Sequence, residues 1–314
     1  MAIDPTQPAE RGLRGLFVGL ATVDLVQRVD RRPGVDEKVV ALSSDIAAGG
    51  PAAVAAVTFG ALGGQSVLLS ALGPGPLGRL AAGELGRAGV RIVDAWAAGA
   101  DLSISAITVL DGTGERSVVS RNAEDMTAVV PGDLPALTRD ADVVLLDGHH
   151  PDLAVAAAQA AQAAGIPVVL DCGSPKRVYA ELVGLADVVV CSTSFVAGQP
   201  KESDTEESDA AGFEAVAAAL LAGGARLVAM TAGAAPVRWR IREAAGAIEV
   251  PPVTVRDTLG AGDVLHGAVT FARARGVTDP ERSLRFGVAV ASLRVQHIGP
   301  RAWLEDQRLR GLID

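Results

Sequence analysis

The sequence contains few residues of the kinds that cross-link proteins or stack on nucleic-acid bases. Only two of its 314 residues are cysteines, Cys172 and Cys191, so a disulfide framework is excluded and a reducing cytoplasm is the expected location. Aromatic residues make up 3% of the chain, and 37 acidic residues outnumber 28 basic ones, which gives a net charge of −9. Because nucleic-acid binding needs a clustered basic face and aromatic platforms, we expect no nucleic-acid partner.

Long hydrophobic runs are also missing. The N-terminus carries no apolar run of the signal-peptide type. The Ala-rich stretch 153–164 is interrupted by glutamine and falls short of the roughly 20 residues that a bilayer span needs. We therefore expect no membrane partner. Apolar residues still make up 49% of the chain and charged residues 21%, which is enough apolar material for a large buried core.

Short Leu/Val-rich runs alternate with Ala-rich stretches along most of the chain. This alternation predicts an α/β fold with a doubly wound, mainly parallel sheet and helices on both faces. The expected strands are 16–20, 66–72, 143–146, 167–170, 188–190 and 226–231. The expected helices are 52–62, 77–88, 152–163, 213–222, 261–275 and 279–296. The acidic run 201–209 is expected to be a solvated loop before a helix.

Two segments, 25–47 and 103–121, interrupt the strand–helix alternation. Their apolar residues alternate as in hairpins, and Asp111–Gly114 is a strong turn signal between two strands. We expect both segments to form one small antiparallel sheet that projects from a single domain covering residues 1–314. Such a sheet would serve as a lid over a site, or, as the alternative, only for oligomerisation. Its free edges favour a homodimer through the lid.

The stretch 257–263, DTLGAGD, is the most informative part of the sequence. Small residues at Gly260, Ala261 and Gly262 let successive backbone N–H groups point in one direction at the start of a helix, which makes an anion hole. Asp263 cannot help to bind an anion, so its natural role is a general base that takes a proton from a nearby hydroxyl. Together these residues describe phosphoryl transfer to an alcohol. On spacing alone, a Gly-rich turn in which Asp263 only serves the helix dipole remains equally open.

DTLGAGD and its helix resemble the C-terminal signature of the PfkB/ribokinase-type carbohydrate kinases. The segment 49–53, GGPAA, resembles the first Gly-Gly signature of that family. The spacing from Gly19 to Asp24, the segment 29–33 and the hairpin 114–116 resemble its substrate-binding and lid elements. The resemblance spans about residues 15–305 and is greatest to the ketohexokinase and sulfofructose kinase branch.

This resemblance implies an ATP-dependent kinase of a sugar or sugar derivative, with Mg²⁺ bridging the phosphates. The catalytic residues would be Asp263 as base and Gly260, Ala261 and Gly262 as anion hole. The substrate-binding residues would be Asp24, Gly49, Gly50 and Lys38, and we add Asn122 and His149 as candidates. The nucleotide-binding residues would be Thr231, Gly233, Asp257, Thr258, Ala291 and Gly299. We expect no metal held by the protein's own residues.

The sequence departs from the family pattern at three places. Pro51 and Val54 stand where many members carry an asparagine that binds a sugar hydroxyl. The segment 191–195, CSTSF, replaces an Asn-x-x-Glu motif used near magnesium, and the nucleotide turn 231–236 lacks the usual second glycine. These departures leave open a catalytically idle sugar- or nucleotide-binding regulator. A nucleoside kinase is the other alternative, but the lid segments hold no aromatic residue that would stack on a base.

Two further sequence patterns are similar to those of a dinucleotide-binding site and of a metal site. The loop 73–78, GPGPLG, followed by Asp94, has the spacing of a dinucleotide fingerprint, but its two prolines remove N–H donors, and no P-loop motif is present. His149 and His150 are adjacent and lack the spacing of a helical zinc pair. Because ligands bind at the carboxyl ends of parallel strands, Asp147 or His149 is a candidate to contact the substrate, with a purely structural loop role as the alternative. His266, one helical turn after Asp263, either faces the site or packs within the helix layer.

Overall fold

The computed structural model describes residues 12–196 and 206–313. Its strands are β1 (Arg14–Val18), β2 (Thr22–Val29), β3 (Ser43–Gly49), β4 (Gln65–Ser70), β5 (Arg91–Asp94), β6 (Trp96–Gly99), β7 (Ile104–Leu110), β8 (Arg116–Ser120), β9 (Met126–Ala128), β10 (Val143–Leu146), β11 (Val168–Cys172), β12 (Val188–Ser192), β13 (Leu227–Ala232), β14 (Ala235–Arg240) and β15 (Ala245–Ile248). Its α-helices are α1 (Pro51–Ala61), α2 (Pro76–Arg87), α3 (Leu134–Arg139), α4 (Pro151–Ala164), α5 (Tyr179–Leu182), α6 (Thr193–Val196), α7 (Glu206–Ala222), α8 (Ala261–Ala274), α9 (Pro280–Arg294) and α10 (Arg308–Gly311). Two short 3₁₀ helices span Val183–Leu185 and Ala302–Glu305.

A nine-stranded sheet forms the centre of the molecule in the order β15-β14-β13-β12-β11-β10-β1-β4-β5. The strands from β13 to β5 run parallel, and β14 and β15 add an antiparallel edge. The predicted parallel sheet is therefore confirmed, and its six predicted strands end within two residues of the observed bounds. The antiparallel edge was not predicted, because β14 and β15 carry charged and small residues rather than an apolar run.

Helices cover both faces of this sheet, as the alternation predicted. Successive residues of a strand point to opposite faces, so Phe17 packs in one core while its neighbours Leu16 and Val18 pack in the other. The first core contains an edge-to-face chain of Phe17, Phe59 and Phe271, which joins β1 to α1 and α8. This packing fixes α1 and α8 side by side above the sheet.

The expectation for the acidic run 201–209 is partly wrong. Residues 201–205 lie outside the described residues, but 206–209 form the first turn of α7 and not a loop. Acidic residues favour the first turn of a helix, where they complement its dipole, so this run begins the helix predicted at 213.

The two predicted lid segments contribute strands to a second, four-stranded sheet in the order β3-β2-β7-β8. Its outer pairs are antiparallel, as expected, whereas the central pair β2/β7 is parallel. Two separate pieces of chain therefore meet side by side in this sheet, which we call the lid. Within the described part of the chain, no helix has the length and apolarity to cross a membrane.

Candidate active site

The candidate site lies at the start of α8, beside the carboxyl ends of β11 and β12. Gly260 caps the helix, and the Ala261 amide donates to the Thr258 carbonyl at 3.3 Å. Among the described residues, no acceptor bonds the amides of Gly260, Gly262 or Asp263. These amides, with the positive end of the helix dipole, can hold an anion.

Asp263 lies in the first turn of α8, and its half-buried carboxylate forms no hydrogen bond or ion pair within the described chain. Burial is the main cause that raises its pKa to about 6, and the nearby Asp171 carboxylate acts in the same direction. His266 and Arg116 oppose this rise, while Asp24 adds to it. A carboxylate with this pKa is ionised at neutral pH and close to the strength that suits a general base.

His266 and Asp171 lie directly behind Asp263. Polar side-chain atoms of all three residues lie within 4.8 Å of one another, which is close enough to bracket a cation. The His266 Nδ1 atom, however, lies 2.7 Å from the Gly262 carbonyl oxygen and so must carry a proton there. His266 therefore has no Nδ1 lone pair for a metal, and its ring is buried between α8 and β12, next to Asp171.

Asp257 holds the loop that leads into α8. Its carboxylate accepts hydrogen bonds from the amides of Leu259 at 2.9 Å and Gly299 at 3.0 Å. The Arg294 guanidinium pairs with the same carboxylate at 3.3 Å, and both side chains are almost fully buried. The Asp257 carboxylate is thus used within the protein, where it ties the loop to α9 and to the turn after it.

The lid hairpin contacts this loop. The Gly114 carbonyl accepts hydrogen bonds from the Thr258 amide and hydroxyl, and Arg116 on β8 donates to the Thr258 carbonyl at 3.1 Å. On β2, Arg28 also donates to the Arg256 carbonyl at 2.8 Å. The lid is therefore joined by hydrogen bonds to the segment that carries the candidate base.

Asp24 on β2 and Gly49 on β3 form the other side of the site. The Thr22 hydroxyl donates to the Asp24 carboxylate at 2.7 Å, and burial raises the pKa of Asp24. A Cβ atom added at Gly49 would lie 2.0 Å from this carboxylate, so only glycine leaves room for it. Gly50 follows at the N-terminus of α1. Of the two predicted glycines, Gly49 therefore lies directly beside the Asp24 carboxylate, whereas Gly50 packs against Leu20 and Ala21.

Asp147, weighed above as a substrate contact, is buried at the junction of three elements. Its carboxylate accepts hydrogen bonds from the amides of Leu20 at 2.8 Å and Ala52 at 3.1 Å. Burial opposes ionisation, but the charge and hydrogen bonds of His149 and the charge of Lys176 hold the pKa of Asp147 well below its ordinary value. The carboxylate oxygens of Asp147 are therefore occupied by hydrogen bonds that join β1, α1 and β10.

The substrate candidates His149 and Asn122 line a groove of about 920 Å³ beside α4, together with Lys176. The His149 ring lies 3.2 Å from the Asp147 carboxylate, and Asn122 is exposed with a positive φ of 53°. Lys38 lies in the exposed loop between β2 and β3 and forms no ion pair in the described chain. The structure thus brings Asp24, Gly49 and Asp263 together but leaves Lys38 in the exposed loop.

The nucleotide candidates outside the α8 loop lie on β13, on α9 and in the turns that follow them. Thr231 lies near the end of β13, opposite Ser192 on β12, and its hydroxyl donates to the Cys191 carbonyl at 3.4 Å. Gly233 forms the turn into β14, and Ala291 lies on α9. Gly299 is bonded to Asp257, as described above. Of these four positions, Gly299 is bonded directly to the segment 257–262, whereas Thr231 and Gly233 lie at the end of β13 and in the turn after it.

Sequence reasoning missed Asp171, Arg116 as a site residue, and the pair formed by Arg301 and Glu84. Arg301 Nε lies 3.1 Å from the Glu84 carboxylate, and both residues act electrostatically on Asp24. Asp171 had a usable signal, because an acidic residue at the carboxyl end of a parallel strand lies where ligands bind. The predicted strand ended at residue 170, one position too early to draw attention to it. No local sequence signal connects Arg301 with the site, since it lies 277 positions from Asp24 in the chain.

The Gly-rich loop 73–78 is closed by the protein's own carboxylates. Asp94 accepts hydrogen bonds from the Leu72 and Gly73 amides, and Asp101 accepts them from the Leu77 and Gly78 amides. The loop therefore presents carboxylates, and not free amides, where a pyrophosphate would have to bind.

Comparison with known proteins agrees with this geometry. The model of the pfkB family carbohydrate kinases matches residues 15–307. A ribokinase from Arabidopsis thaliana is 28% identical over 93% of this chain and 79% of its own length. An ATP-dependent ribose-1-phosphate kinase from Halopiger xanaduensis is 28% identical over 92% of this chain and 94% of its own. The solved structure of Arabidopsis thaliana ribokinase with ribose and ATP superimposes with a TM-score of 0.75 at 25% identity, over 96% of this chain and 99% of that one.

Proposed function

This chain belongs to the pfkB family of carbohydrate kinases, and we propose that Asp263 is the general base with which it transfers the γ-phosphoryl group of ATP to a sugar hydroxyl. The chain is an ATP-dependent carbohydrate kinase with a ribokinase-like fold, as predicted from its motifs. One observation carries the residue assignment. The free Asp263 carboxylate, whose pKa is raised to about 6, lies directly beside backbone amides that have no partner among the described residues.

The reaction follows from this arrangement. Asp263 accepts the proton of the sugar hydroxyl as the hydroxyl oxygen attacks the γ-phosphorus, and the bond from that phosphorus to the bridging oxygen breaks. The amides of Gly260, Gly262 and Asp263 face the charge that develops on the transferred group, and their fixed dipoles stabilise it, whereas the Ala261 amide is bonded to Thr258. Arg116, which lies on the lid and interacts electrostatically with Asp263, brings a positive charge to the same region.

We assign the acceptor to the side of Asp24 and Gly49. The Asp24 carboxylate, partly occupied by Thr22, retains acceptor capacity for sugar hydroxyls. The relatives named as acting on ribose and ribose 1-phosphate make these two compounds the first to test. Val54 has no polar side-chain atom, so any hydroxyl that other members bind there must be held differently or left free.

Magnesium is expected to accompany ATP, but the residues of the site do not fit a cage for it. His266 uses Nδ1 on a carbonyl, Asp171 lies 3.4 Å from His266, and residues 192–195 carry no carboxylate. Magnesium commonly keeps phosphate oxygens and water as most of its ligands, and it supplies charge neutralisation there. We assign Thr231, Gly233 and Ala291 to the nucleotide. The predicted nucleotide residues Asp257, Thr258 and Gly299 instead form hydrogen bonds within the protein that hold the loop before α8.

We also propose that a second copy of the chain packs on the outer face of the lid. Ile46, Ala106 and Val119 form one row across this face and are exposed, Ile46 by 61% and Val119 by 75%. Apolar side chains in such a row are typical of a covered surface. Sedimentation analysis of the variant Ile46→Lys/Val119→Lys should show monomers where the wild type shows dimers. Val35→Lys, at a 95% exposed loop position, is the matched control.

We place the activity in the cytoplasm. Cys172 and Cys191 are opposite each other on β11 and β12 as free, buried thiols. Burial raises the pKa of the Cys172 thiol well above its ordinary value, which suits a structural cysteine in a reducing compartment.

The deciding experiment measures ADP release from Mg-ATP over a panel of sugars and sugar phosphates. Ribose, ribose 1-phosphate, ketoses, sulfosugars and nucleosides are compared, with Asp263→Asn beside the wild type and Asp140→Asn as an exposed control. We expect turnover on a sugar, a loss of at least about 1,000-fold in Asp263→Asn and no change in the control. Near-normal turnover in Asp263→Asn would show that the base is misassigned, and turnover on nucleosides alone would reject the sugar acceptor.

A further inference from the structure

His266 is a buried histidine whose two ring nitrogens both face oxygen atoms. Nδ1 lies 2.7 Å from the Gly262 carbonyl and 3.4 Å from the Asp171 carboxylate. Nε2 lies 3.2 Å from the Val190 carbonyl on β12. Only 3% of the residue is exposed, so water does not reach the ring to change this set of partners. Every partner of the ring is therefore a hydrogen-bond acceptor.

A neutral imidazole cannot satisfy this environment. It carries one N–H group and one nitrogen lone pair, so one of its nitrogens would oppose the lone pairs of a carbonyl oxygen. The doubly protonated ring donates to Gly262 and Val190 at the same time. Asp171 is buried to a similar degree, and burial raises its pKa, but a positively charged His266 lowers that pKa again, so the two groups are charged together and Asp171 offers the counter-charge. A buried cation with two acceptors and a carboxylate meets the usual conditions for a buried ion pair.

We propose that His266 is a positioning residue that acts as an imidazolium: it pairs with Asp171 and thereby leaves Asp263 as an ionised, unshared carboxylate. This inference rests on the proposed role of Asp263 as the base. His266 does not touch the reacting atoms in this scheme. It acts through the charge of Asp171 and through its hydrogen bond to the Gly262 carbonyl, which also holds the first turn of α8.

The need for such a residue follows from the two carboxylates. Asp171 raises the pKa of Asp263, and two carboxylates this close tend to share one proton, which would occupy the base. A cation behind Asp171 removes this tendency. The other charges that face Asp263 are Arg116 on β8 and Asp24 on β2. Those that face Asp171 are Lys176, His149 and Asp147. Within the described residues, the side chain of Asp171 forms an ion pair with His266 but with none of these three residues.

The protonation state of His266 is measured on the unmodified enzyme by ¹⁵N NMR of its histidine rings at pH 7. We expect both His266 nitrogens to carry hydrogen, with one of them losing its proton in Asp171→Asn. His297, which meets a single carboxylate through Nε2 at 2.9 Å, is the internal reference. A His266 ring with one unprotonated nitrogen in the wild type overturns the proposal, whatever the activity of any variant.

The effect on catalysis is measured by the pH dependence of kcat in His266→Gln. We expect about a tenfold loss at pH 5, about a twofold loss at pH 7 and little loss at pH 9, because the acid limb moves up by about one pH unit. The double variant Asp171→Asn/His266→Gln removes both charges. In this variant, the pH at which kcat falls on the acid side should return close to the wild-type value. A loss of equal size at every pH would mean that His266 has only a packing role, and it would overturn the proposal.

The two hypotheses can fail separately. If Asp263→Asn keeps near-normal turnover, the proposed base is wrong, while the NMR result still decides the charge of His266. If Asp263→Asn is inactive and His266 is neutral, the base stands and the proposal for His266 falls.

Discussion

The carbonyl oxygen of Gly114, at the tip of the lid hairpin, accepts hydrogen bonds from both the amide and the hydroxyl of Thr258, at 3.1 Å and 2.8 Å. Thr258 lies five residues before the candidate base. A Cβ atom at Gly114 would come within 2.8 Å of the backbone at Arg256 and Asp257. The backbone of the lid thus contacts the backbone of the loop before α8, and a displacement of the lid would move this loop.

Replacing Gly114 by alanine should disturb this contact. The added Cβ clashes with the backbone at 256–257, and Gly114 also has a φ of 70°, which side chains disfavour. Gly112→Ala is the matched control, because its φ is 86° but no atom lies within 4 Å of the new Cβ. We expect kcat/KM to fall by at least about tenfold in Gly114→Ala, while Gly112→Ala shows only the cost of backbone strain, about 1 kcal/mol in the free energy of unfolding. Equal losses of kcat/KM in both variants would mean that the close approach is unimportant.

Replacing Gly49 by alanine should weaken acceptor binding. The new Cβ would overlap the Asp24 carboxylate at 2.0 Å and force that side chain away from its bond to Thr22. We expect the KM for the sugar to rise by at least about tenfold with a smaller change in the KM for ATP, as steady-state kinetics would show. Gly83→Ala on α2, where the new Cβ meets nothing within 4 Å, should leave both constants unchanged. A normal sugar KM in Gly49→Ala would place the sugar elsewhere.

The rate should depend on pH through Asp263. Its pKa is raised to about 6, and it must be ionised to accept a proton, so kcat should fall about tenfold per pH unit below pH 6. The residual activity of Asp263→Asn should not show this fall of kcat at low pH. A rate that is constant from pH 7 to pH 4.5, with the fold intact by circular dichroism, would contradict the assignment.

The raised pKa of Asp263 also predicts that the folded protein becomes less stable as the pH rises, whereas kcat increases. The folded protein binds the Asp263 proton more tightly than the unfolded chain, whose carboxyl titrates near 3.8. The free energy of unfolding therefore falls as the pH rises through this interval, and the loss is complete above pH 6. Asp263→Asn should consequently be more stable than the wild type at pH 7.5, by about 1 to 3 kcal/mol, and this gain should shrink at pH 4. Urea unfolding at both pH values tests this, and a less stable variant at pH 7.5 would contradict it.

Breaking the buried pair between Asp257 and Arg294 should destabilise the loop. Asp257→Asn leaves a buried guanidinium with a neutral partner, and such losses cost about 3 to 5 kcal/mol. Urea unfolding should show this, whereas Glu281→Gln, which disrupts the surface pair with Arg285, should change the free energy of unfolding by about 1 kcal/mol or less. A loss in Asp257→Asn no larger than that in Glu281→Gln would mean that the buried pair adds no stability.

Much of the fold follows from local patterns. Runs such as Val143–Leu146 can only be buried strands of a parallel sheet, and Ala-rich stretches between them form the covering helices. The parallel pairing of β2 with β7 was not predictable, because it joins segments about 80 residues apart, and the sequence shows their alternation but not their direction. The edge strands β14 and β15 were missed because an edge needs no apolar run.

The site divides in the same way. DTLGAGD by itself predicted where the proposed anion hole and base lie, because glycine spacing and a carboxylate in the first turn of a helix act over a few residues. Only the tertiary structure decided that Asp257 and Asp147 are used as internal acceptors and that Asp171 and His266 lie behind Asp263. Hydrogen-bond partners and pKa shifts depend on distances between strands and helices far apart in sequence, and burial sets their strength. Those distances exist only once the sheet has brought β10, β11 and β12 together beneath α8.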